Sequence, residues 1–513
     1  MIKAVAVGGC VAVAVLAAAL ALDGSGDDPG AGSARPNVVL IVADDLAAGQ
    51  FTREVMPRAH RVFGAGATRF DEHWVSTALC CPSRATLLTG QYAHNNGVFS
   101  NDAGYPALID RDDVLPAWLG NAGYRTSHIG KYLNGHQQVI GRDEAGPGWD
   151  RWSVIRGPTY YGYRVFTTDG ITEAGHDADD YSTTAVNRQA VEEIRELAPS
   201  EDPFFLQVDH LAPHTESRAD SGGRCGGIAL PAPRDEDSFR DARLPRPPSF
   251  NEADVSDKPP FVRALPRLTA RQRDSLENRW RCALATVQEV DRGIEMVSDA
   301  LAEAGELDST MLVFLSDHGV FYGEHRVLKG KVLPYAAVHE APLAIRVPPG
   351  YLERAPVPRV ERVVANIDIA PTILDLAGAT PCVADSCRVT DGRSLLPLIE
   401  GRGRWPAGRA ILLEYREPSG RRYATCDFAG FRTSDVEFVR HRSVVGPSGD
   451  CRDAEFAELY GLAADPFQLE NRCSPECPPG VREAKLARRL ARLEACAGVA
   501  GRDPLPASGE YCE

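Results

Sequence analysis

Apolar, largely β-branched residues fill NVVLIVA, Asn37 to Ala43, and stop at the polar pair Asp44-Asp45. Met311 to Leu315, MLVFL, does the same before Ser316-Asp317-His318-Gly319. Continuous apolar runs of this length predict strands buried on both faces of a parallel sheet. Phe204 to Val208, FFLQV, leads into Asp209-His210 and Ala212-Pro213-His214, and Tyr124 to Ile129 leads into Gly130-Lys131. Four strands would thus deliver polar groups just past their ends, and ligands of open α/β sheets bind outside the carboxyl ends of the strands.

Helical periodicity alternates with these runs. Thr269 and Gln272 have capping-box spacing, Leu284, Val287, Val290, Ile294, Val297 and Leu301 recur every three or four residues, and Gly305 fits a helix stop. The pattern predicts a long amphipathic helix packed on the sheet. Asp368 to Gly378 predicts another. Glu216 to Pro260, rich in Pro, Gly, Arg and Asp, suggests an ordered surface excursion. After Gly378 the character changes: segments beginning at Arg409, Arg421, Val436 and Glu455 have the pattern of short strands, followed by an amphipathic helix around Lys485 to Cys496. The expected fold is α/β, a large mostly parallel sheet flanked by helices over 36–394, with a smaller antiparallel sheet plus helix over 395–513.

Met1-Ile2-Lys3 precedes an apolar run from Ala4 to Leu22, with Ala19-Leu20-Ala21 as a small-residue cleavage site. This predicts a secretory signal over 1–22 and a flexible linker over 23–35, the alternative being a retained single-pass anchor. The expected location is therefore secreted or extracytoplasmic. The formal charge of −15 argues against a nonspecific hold on nucleic acid or an anionic membrane, so an anionic substrate must be held locally. Of 13 cysteines, Cys10 lies in the signal segment; with Cys80 and Cys81 set aside, ten remain, enough for five bridges of open connectivity in an oxidising compartment.

Cys80 and Cys81 stand in ALCCPSRATLLTG. Pro82 suits a first helical turn and Gly90 a helix end, so Cys80 would sit just before a helix N-terminus, where unpaired N–H groups and the dipole favour an anion. A thiolate there would be activated, although in an exported chain a buried or bridged pair is the commoner arrangement. Asp44, Asp45 and Asp317 form an oxygen-rich set suited to a hard divalent cation, and His318 adds a nitrogen. One Asp pair after a strand is more often a cap or turn; two from separate strands point to a site.

Cys80-Cys81-Pro82-Ser83-Arg84, with Thr89-Gly90 five residues on, resembles the sulfatase signature Cys-x-Pro-Ser-Arg, whose first cysteine is oxidised to formylglycine by a dedicated maturation enzyme. NVVLIVADD, GYRTSHIGKYLNG from Gly123, APH from Ala212, SDHG from Ser316, LKGKVLPY from Leu328 and ELYGLAADPFQLEN from Glu458 occur in the family's order, so the resemblance spans about residues 36 to 475. The doubled cysteine, GKYLNG and KGKVLPY are most similar to N-acetylglucosamine-6-sulfatases and extracellular glucosamine-6-sulfatases. The resemblance implies an alkaline-phosphatase-like fold and hydrolysis of a sulfate ester, on a sugar and with 6-sulfated glucosamine as the candidate. Asp44, Asp45, Asp317, His318 and the modified Cys80 would be ligands of one divalent cation, calcium being expected with magnesium or manganese as alternatives. A gem-diol at position 80 would be the nucleophile, held by Arg84; Lys131 and Lys331 would clamp the sulfate, and His214 would contact it and protonate the leaving alcohol. The implied partners are a sulfated small molecule or glycan and the maturation enzyme, with no nucleic acid, and a membrane only if the N-terminal segment is retained.

Two positions depart from the pattern. Where many sulfatases carry a histidine two residues after the lysine, this chain has Leu133, which leaves the base that breaks down the sulfated intermediate without a candidate; His318 stands where many have asparagine. Two alternatives accompany the sulfatase reading: a phosphodiesterase or phosphonate monoester hydrolase of the same superfamily, and a sulfoglycan-binding protein in which Cys80 stays a thiol.

Overall fold

The computed structural model describes Met1 and residues 35–513, apart from 142–143, 217–222, 385, 404, 417–424, 446–449, 475 and 478–482. Apart from Met1 and Arg35, the expected signal and linker lie outside the described residues. Among the described residues no helix is long and apolar enough to cross a membrane.

The first apolar run is strand β1 (Asn37–Ala43), buried along its whole length. Its alternation explains why the run is continuous: Val39 and Ile41 face one core layer, Val38, Leu40 and Val42 the other. Nine more strands complete its sheet: β2 (Ala67–Phe70), β3 (Arg125–Lys131), β4 (Arg151–Arg156), β5 (Arg164–Thr167), β6 (Gly170–Glu173), β7 (Phe204–Asp209), β8 (Thr310–Ser316), β9 (Leu343–Arg346) and β10 (Arg359–Val360). The order is β10-β2-β9-β8-β1-β7-β3-β4-β5-β6. The central strands β8, β1, β7, β3 and β4 are parallel, and antiparallel pairing begins where β9 joins β8 and β5 joins β4.

Register places the chemistry. Ala43 pairs with Ser316, Val42 with Asp209, and Asp209 with Gly130, so the carboxyl ends of β8, β1, β7 and β3 lie side by side. The approach at Gly130 is close: at φ +105°, a Cβ there would fall 2.0 Å from the Asp209 carbonyl oxygen.

Six helices matter to the site and its support: α1 (Cys80–Thr89), α2 (Leu115–Asn121), α3 (Ser182–Leu197), α4 (Ala270–Glu303), α5 (Ile369–Ala377) and α6 (Glu483–Glu494). Helices α3 and α4 bury apolar stripes in one layer, while α1, α2 and α5 fill the other. The capping box forms: Gln272 N–H donates to Thr269 Oγ1 at 3.3 Å, and Thr269 N–H donates to Gln272 Oε1 at 2.9 Å. Helix α1 is buried at every residue and begins at Cys80 itself, one position earlier than its proline suggested; Gly90 ends it at φ 63°.

Strands β11 (Ile411–Arg416), β12 (Asp427–Arg432), β13 (Val436–Val445) and β14 (Cys451–Gly461) form the antiparallel C-terminal sheet. Its core admits Trp74 and Tyr92 from the N-terminal part, and Leu413, Tyr415, Phe428 and Val439 pack against Leu79 and Val332, the neighbours of Cys80 and Lys331. The sheet thus supports the backbone on which two expected site residues sit.

The ten cysteines pair as Cys225–Cys282, Cys382–Cys387, Cys426–Cys451, Cys473–Cys477 and Cys496–Cys512, leaving Cys80 and Cys81 free. The first bridge ties the excursion after Glu216 to α4, and that segment is more than surface decoration, because Leu244, Val255 and a fully buried Lys258 anchor it. Lys258 is satisfied by Asp257 at 2.9 Å and the Leu469 carbonyl at 2.7 Å.

A buried ion pair gives one test of this packing. His94 Nδ1 lies 3.2 Å from Glu414 Oε1 and its Nε2 3.0 Å from the Cys496 carbonyl. Burial opposes a charge on the ring, but Glu414 outweighs it and lifts the pKa to about 9. A folded-state pKa raised above the unfolded value gives stability that is full below about pH 6.5 and lost as pH rises through about 9. His94→Gln should therefore cost about 1–3 kcal/mol at pH 6 and little at pH 10, read from urea midpoints; an equal cost at both pH values contradicts the ion pair.

Candidate active site

Asp44 and Asp45 follow β1, Asp317 and His318 follow β8, Lys131 ends β3, and His214 follows β7, so each arrives at the same edge of the sheet. Asp44, Asp45, Asp317 and His318 are all buried. Ligand atoms of Asp44, Cys80, Asp317 and His318 lie within 4.8 Å of one another, as do those of Asp44, Asp45, Cys80 and His214. Asp45 joins the first group through its neighbours, its Oδ1 lying 3.4 Å from His318 Nδ1 and its backbone N–H donating to Asp317 Oδ1 at 3.1 Å. Asp45 sits at φ 67° and Val332, beside Lys331, at φ 84°, a region β-branched residues avoid, so the backbone is strained on both sides of the site.

Cations surround this acidic set. Lys131 Nζ bonds Asp44 Oδ2, and Lys331 Nζ donates to Asp45 Oδ1 at 2.6 Å and lies 3.2 Å from Cys80 Sγ. Arg84 Nε donates to Asp317 Oδ2 at 3.0 Å. Burial by itself would raise Asp44, yet Lys131, then His214, Arg84 and Lys331, hold it well below the usual carboxylate range. Asp45 falls to about 2 under Lys331 and His214 against the same burial. Asp317 goes the other way, to about 6, because burial and the Asp44 charge outweigh His318 and Arg84. Three carboxylates with opposed tendencies in so small a volume are a donor set that a divalent cation would stabilise.

His318 gives its Nδ1–H to the Gly319 carbonyl at 3.0 Å, which turns the Nε2 lone pair to within 3.6 Å of Asp317 Oδ1. His214 likewise gives Nδ1–H to the Thr215 carbonyl at 2.6 Å and leaves Nε2 3.7 Å from Asp45 Oδ2. Burial disfavours its charge, but Asp45 and Asp44 raise its pKa, which suits a proton donor.

The two cysteines differ sharply. Burial and Asp44 oppose ionisation of Cys80, yet Lys131 and Lys331 pull its thiol well below the usual value, whereas burial and the Cys80 charge push Cys81 up to about 12. Cys81 Sγ accepts the Asn134 N–H at 3.1 Å, a packing role. Cys81→Ala should leave most activity and cost about 1–3 kcal/mol for the orphaned N–H, with Cys81→Ser recovering part of it; loss of all turnover in the alanine variant would contradict this role.

Cys80, Lys131, His214 and Lys331 open onto a cavity of about 400 Å³ whose rim carries Asn134, His136 and Arg156. Leu133 is buried in the wall, and the imidazole nearest it in sequence, His136, turns its Nδ1 back to the Leu133 carbonyl at 2.9 Å. Lys329 is exposed, and Lys331 is the lysine of that loop that reaches the site. Two buried groups escaped the sequence motifs as site residues: Asp209, which receives Arg84 Nη1 at 2.7 Å, and His128, whose Nε2 lies 2.8 Å from Asp209 Oδ2. The signal for Asp209 was its position at a strand end; none marked His128.

A family model described as Sulfatase matches residues 36–379. An arylsulfatase of Volvox carteri is 33% identical over 408 residues, covering 76% of this chain and 61% of that protein. An extracellular sulfatase SULF-1 homologue of Drosophila melanogaster is 32% identical over 412 residues, 78% of this chain and 34% of that protein. The chain therefore spans between about a third and three-fifths of the length of these two relatives. Human N-acetylglucosamine-6-sulfatase is 28% identical over 504 residues, 92% of this chain and 87% of that protein. Two solved structures share the fold: a protein in complex with its substrate D-glucosamine-2-N,6-O-disulfate, with TM-score 0.68 at 24% identity over 90% of this chain and 97% of that one, and a phosphonate monoester hydrolase of Agrobacterium radiobacter, with TM-score 0.67 at 21% identity over 93% and 99%.

Proposed function

The chain belongs to the sulfatase family, and from that premise we propose that it hydrolyses a sulfate ester carried by a sugar, with 6-sulfated glucosamine as the candidate substrate. The observation that carries the reading is the convergence of Asp44, Asp45, Cys80, Asp317 and His318 with Lys131, Lys331 and His214 beside one cavity. The similarity to human N-acetylglucosamine-6-sulfatase over most of both chains supports the choice of sugar.

In this reading Cys80 is converted to formylglycine by a maturation enzyme, and Asp44, Asp45, Asp317, His318 and the modified residue hold one divalent cation, calcium first, with magnesium and manganese as alternatives. Bound together, cation and aldehyde hydrate supply an oxygen nucleophile active at neutral pH. The protein's own residues do the rest. Lys131 and Lys331 bring two ammonium groups to the place where a sulfate must lie, stabilising charge as it moves to its oxygens. His214, its Nδ1 fixed by Thr215, presents Nε2 to protonate the departing alcohol. Arg84, buried and held by acidic partners, fixes the group at position 80. These residues all fall within 36–394, and 395–513 supplies the supporting sheet. The five disulfides support an exported protein.

A second reading, hydrolysis of phosphate diesters or phosphonate monoesters, is favoured by the shared fold of the Agrobacterium hydrolase. Turnover of 4-nitrophenyl sulfate beside bis-4-nitrophenyl phosphate separates the two, and 6-sulfated glucosamine then tests the sugar. Faster turnover of the phosphate diester would overturn the sulfatase assignment. A thiol at position 80 that alkylates in the mature protein would support a sulfoglycan-binding role instead.

A further inference from the structure

We propose that Asp209 and His128 are positioning residues for Arg84, forming a buried carboxylate–imidazole pair that aims the guanidinium at the group on residue 80. The proposal rests on the sulfatase reading above.

Arg84 is held at two points of its planar fork. Nε donates to Asp317 Oδ2 at 3.0 Å, and Nη1 donates to Asp209 Oδ1 at 2.7 Å and to the Lys131 carbonyl at 3.3 Å. Two bonds on different nitrogens fix the plane of a guanidinium. The remaining nitrogen, Nη2, is buried without a hydrogen-bond partner among the described residues and stands 4.0 Å from Asp44 Oδ2. The other oxygen of that carboxylate lies 3.6 Å from Cys80 Sγ, so Nη2 and the position-80 side chain flank one acid. A buried donor kept free beside the nucleophile is costly unless something uses it.

Asp209 is itself fixed. Its Oδ2 accepts from His128 Nε2 at 2.8 Å and from Gln207 Nε2 at 2.7 Å, leaving Oδ1 for Arg84. His128 is fully buried with its ring against Tyr132, Trp149 and Trp152, and its Nδ1 meets no hydrogen-bond partner among the described residues. The ring's polar contact is therefore spent on Asp209, and the aromatic wall sets its direction. A chain runs from the wall through His128 and Asp209 to Arg84, and none of its first three members need touch substrate. Burying a charged carboxylate in this place is expensive for folding, and the return is a fixed direction for Nη2.

Asp209→Asn offers one amide oxygen where the carboxylate served donors on both sides, so either Arg84 or the His128 and Gln207 pair loses its acceptor. His128→Phe keeps an aromatic ring in the box and removes the donated proton; His128→Gln restores a donor. With 4-nitrophenyl sulfate, and kcat normalised to the formylglycine content of the peptide spanning residue 80, Asp209→Asn and His128→Phe should lower kcat about 10- to 100-fold with KM little changed, and His128→Gln should recover a measurable part. Thermal melts separate this from simple loss of fold, because the two residue-128 variants should melt alike while their kcat values differ. Unchanged kcat in His128→Phe, a rise in KM alone, or identical turnover by Phe and Gln at 128 would overturn the proposal; if Asp209→Asn does not fold, the residue-128 pair decides it. A wild-type protein with formylglycine that turns over neither sulfate nor phosphate ester would sink the sulfatase reading and this proposal with it, whereas an active wild type matched by the variants sinks the positioning role alone.

Discussion

Cys80→Ala leaves a folded protein whose turnover of sulfate esters falls at least about 10³-fold, the scale on which removal of a covalent nucleophile acts. Cys80 is 2% exposed, and its Sγ lies 3.2 Å from Lys331 Nζ and 3.6 Å from Asp44 Oδ1, between the cationic and the acidic groups of the site. Truncating the first residue of α1 to alanine costs packing, but the helix keeps its other buried residues and its glycine stop, so the melt should remain cooperative. The paired measurement is the mass of the wild-type peptide across residue 80, where conversion to formylglycine removes a sulfur and two hydrogens and adds an oxygen. Activity above a trace in the alanine variant would show that residue 80 is not the nucleophile.

Removing the divalent cation is expected to have the second largest effect. Dialysis against a chelator should lower kcat by about 10³-fold or more, since a cation at developing charge supplies several kcal/mol and each 1.36 kcal/mol is a factor of ten. Calcium should restore activity, and magnesium and manganese tested in parallel rank the alternatives. The carboxylates of Asp44, Asp45 and Asp317 are buried within reach of one another, so the cation should also raise the melting temperature; at about 100 times its Kd, binding contributes about 2.7 kcal/mol. Asp317→Asn should weaken both effects. Full activity in protein shown metal-free by elemental analysis would exclude a catalytic cation.

What could be read from the chain follows from local rules. Strands β1 and β8 were legible because two-sided burial demands unbroken apolar runs, and their polar stops marked the edge where the candidate site lies. The caps of α4 were legible because Thr269 and Gln272 are three residues apart. The motifs around Cys80, Lys131, His214, Asp317 and Lys331 were legible because each is a short run of neighbouring residues, and the structure gathers their side chains around one cavity. Cys382–Cys387 and Cys426–Cys451 are short-range bridges, whereas Cys225–Cys282 closes a separation of 57 residues that spacing does not reveal.

The sequence by itself determined the family and the side chains that gather at the candidate site, because those depend on residue type within short segments. Only the tertiary structure decided how these groups are held: that Arg84 is pinned by Asp209 and Asp317 from different strands, that His128 backs Asp209 inside an aromatic wall, and that the C-terminal sheet packs beneath Leu79 and Val332. Such partnerships join residues 81 to 360 positions apart, and they exist only once parallel register brings the strand ends together and burial removes the water that would otherwise satisfy each charge.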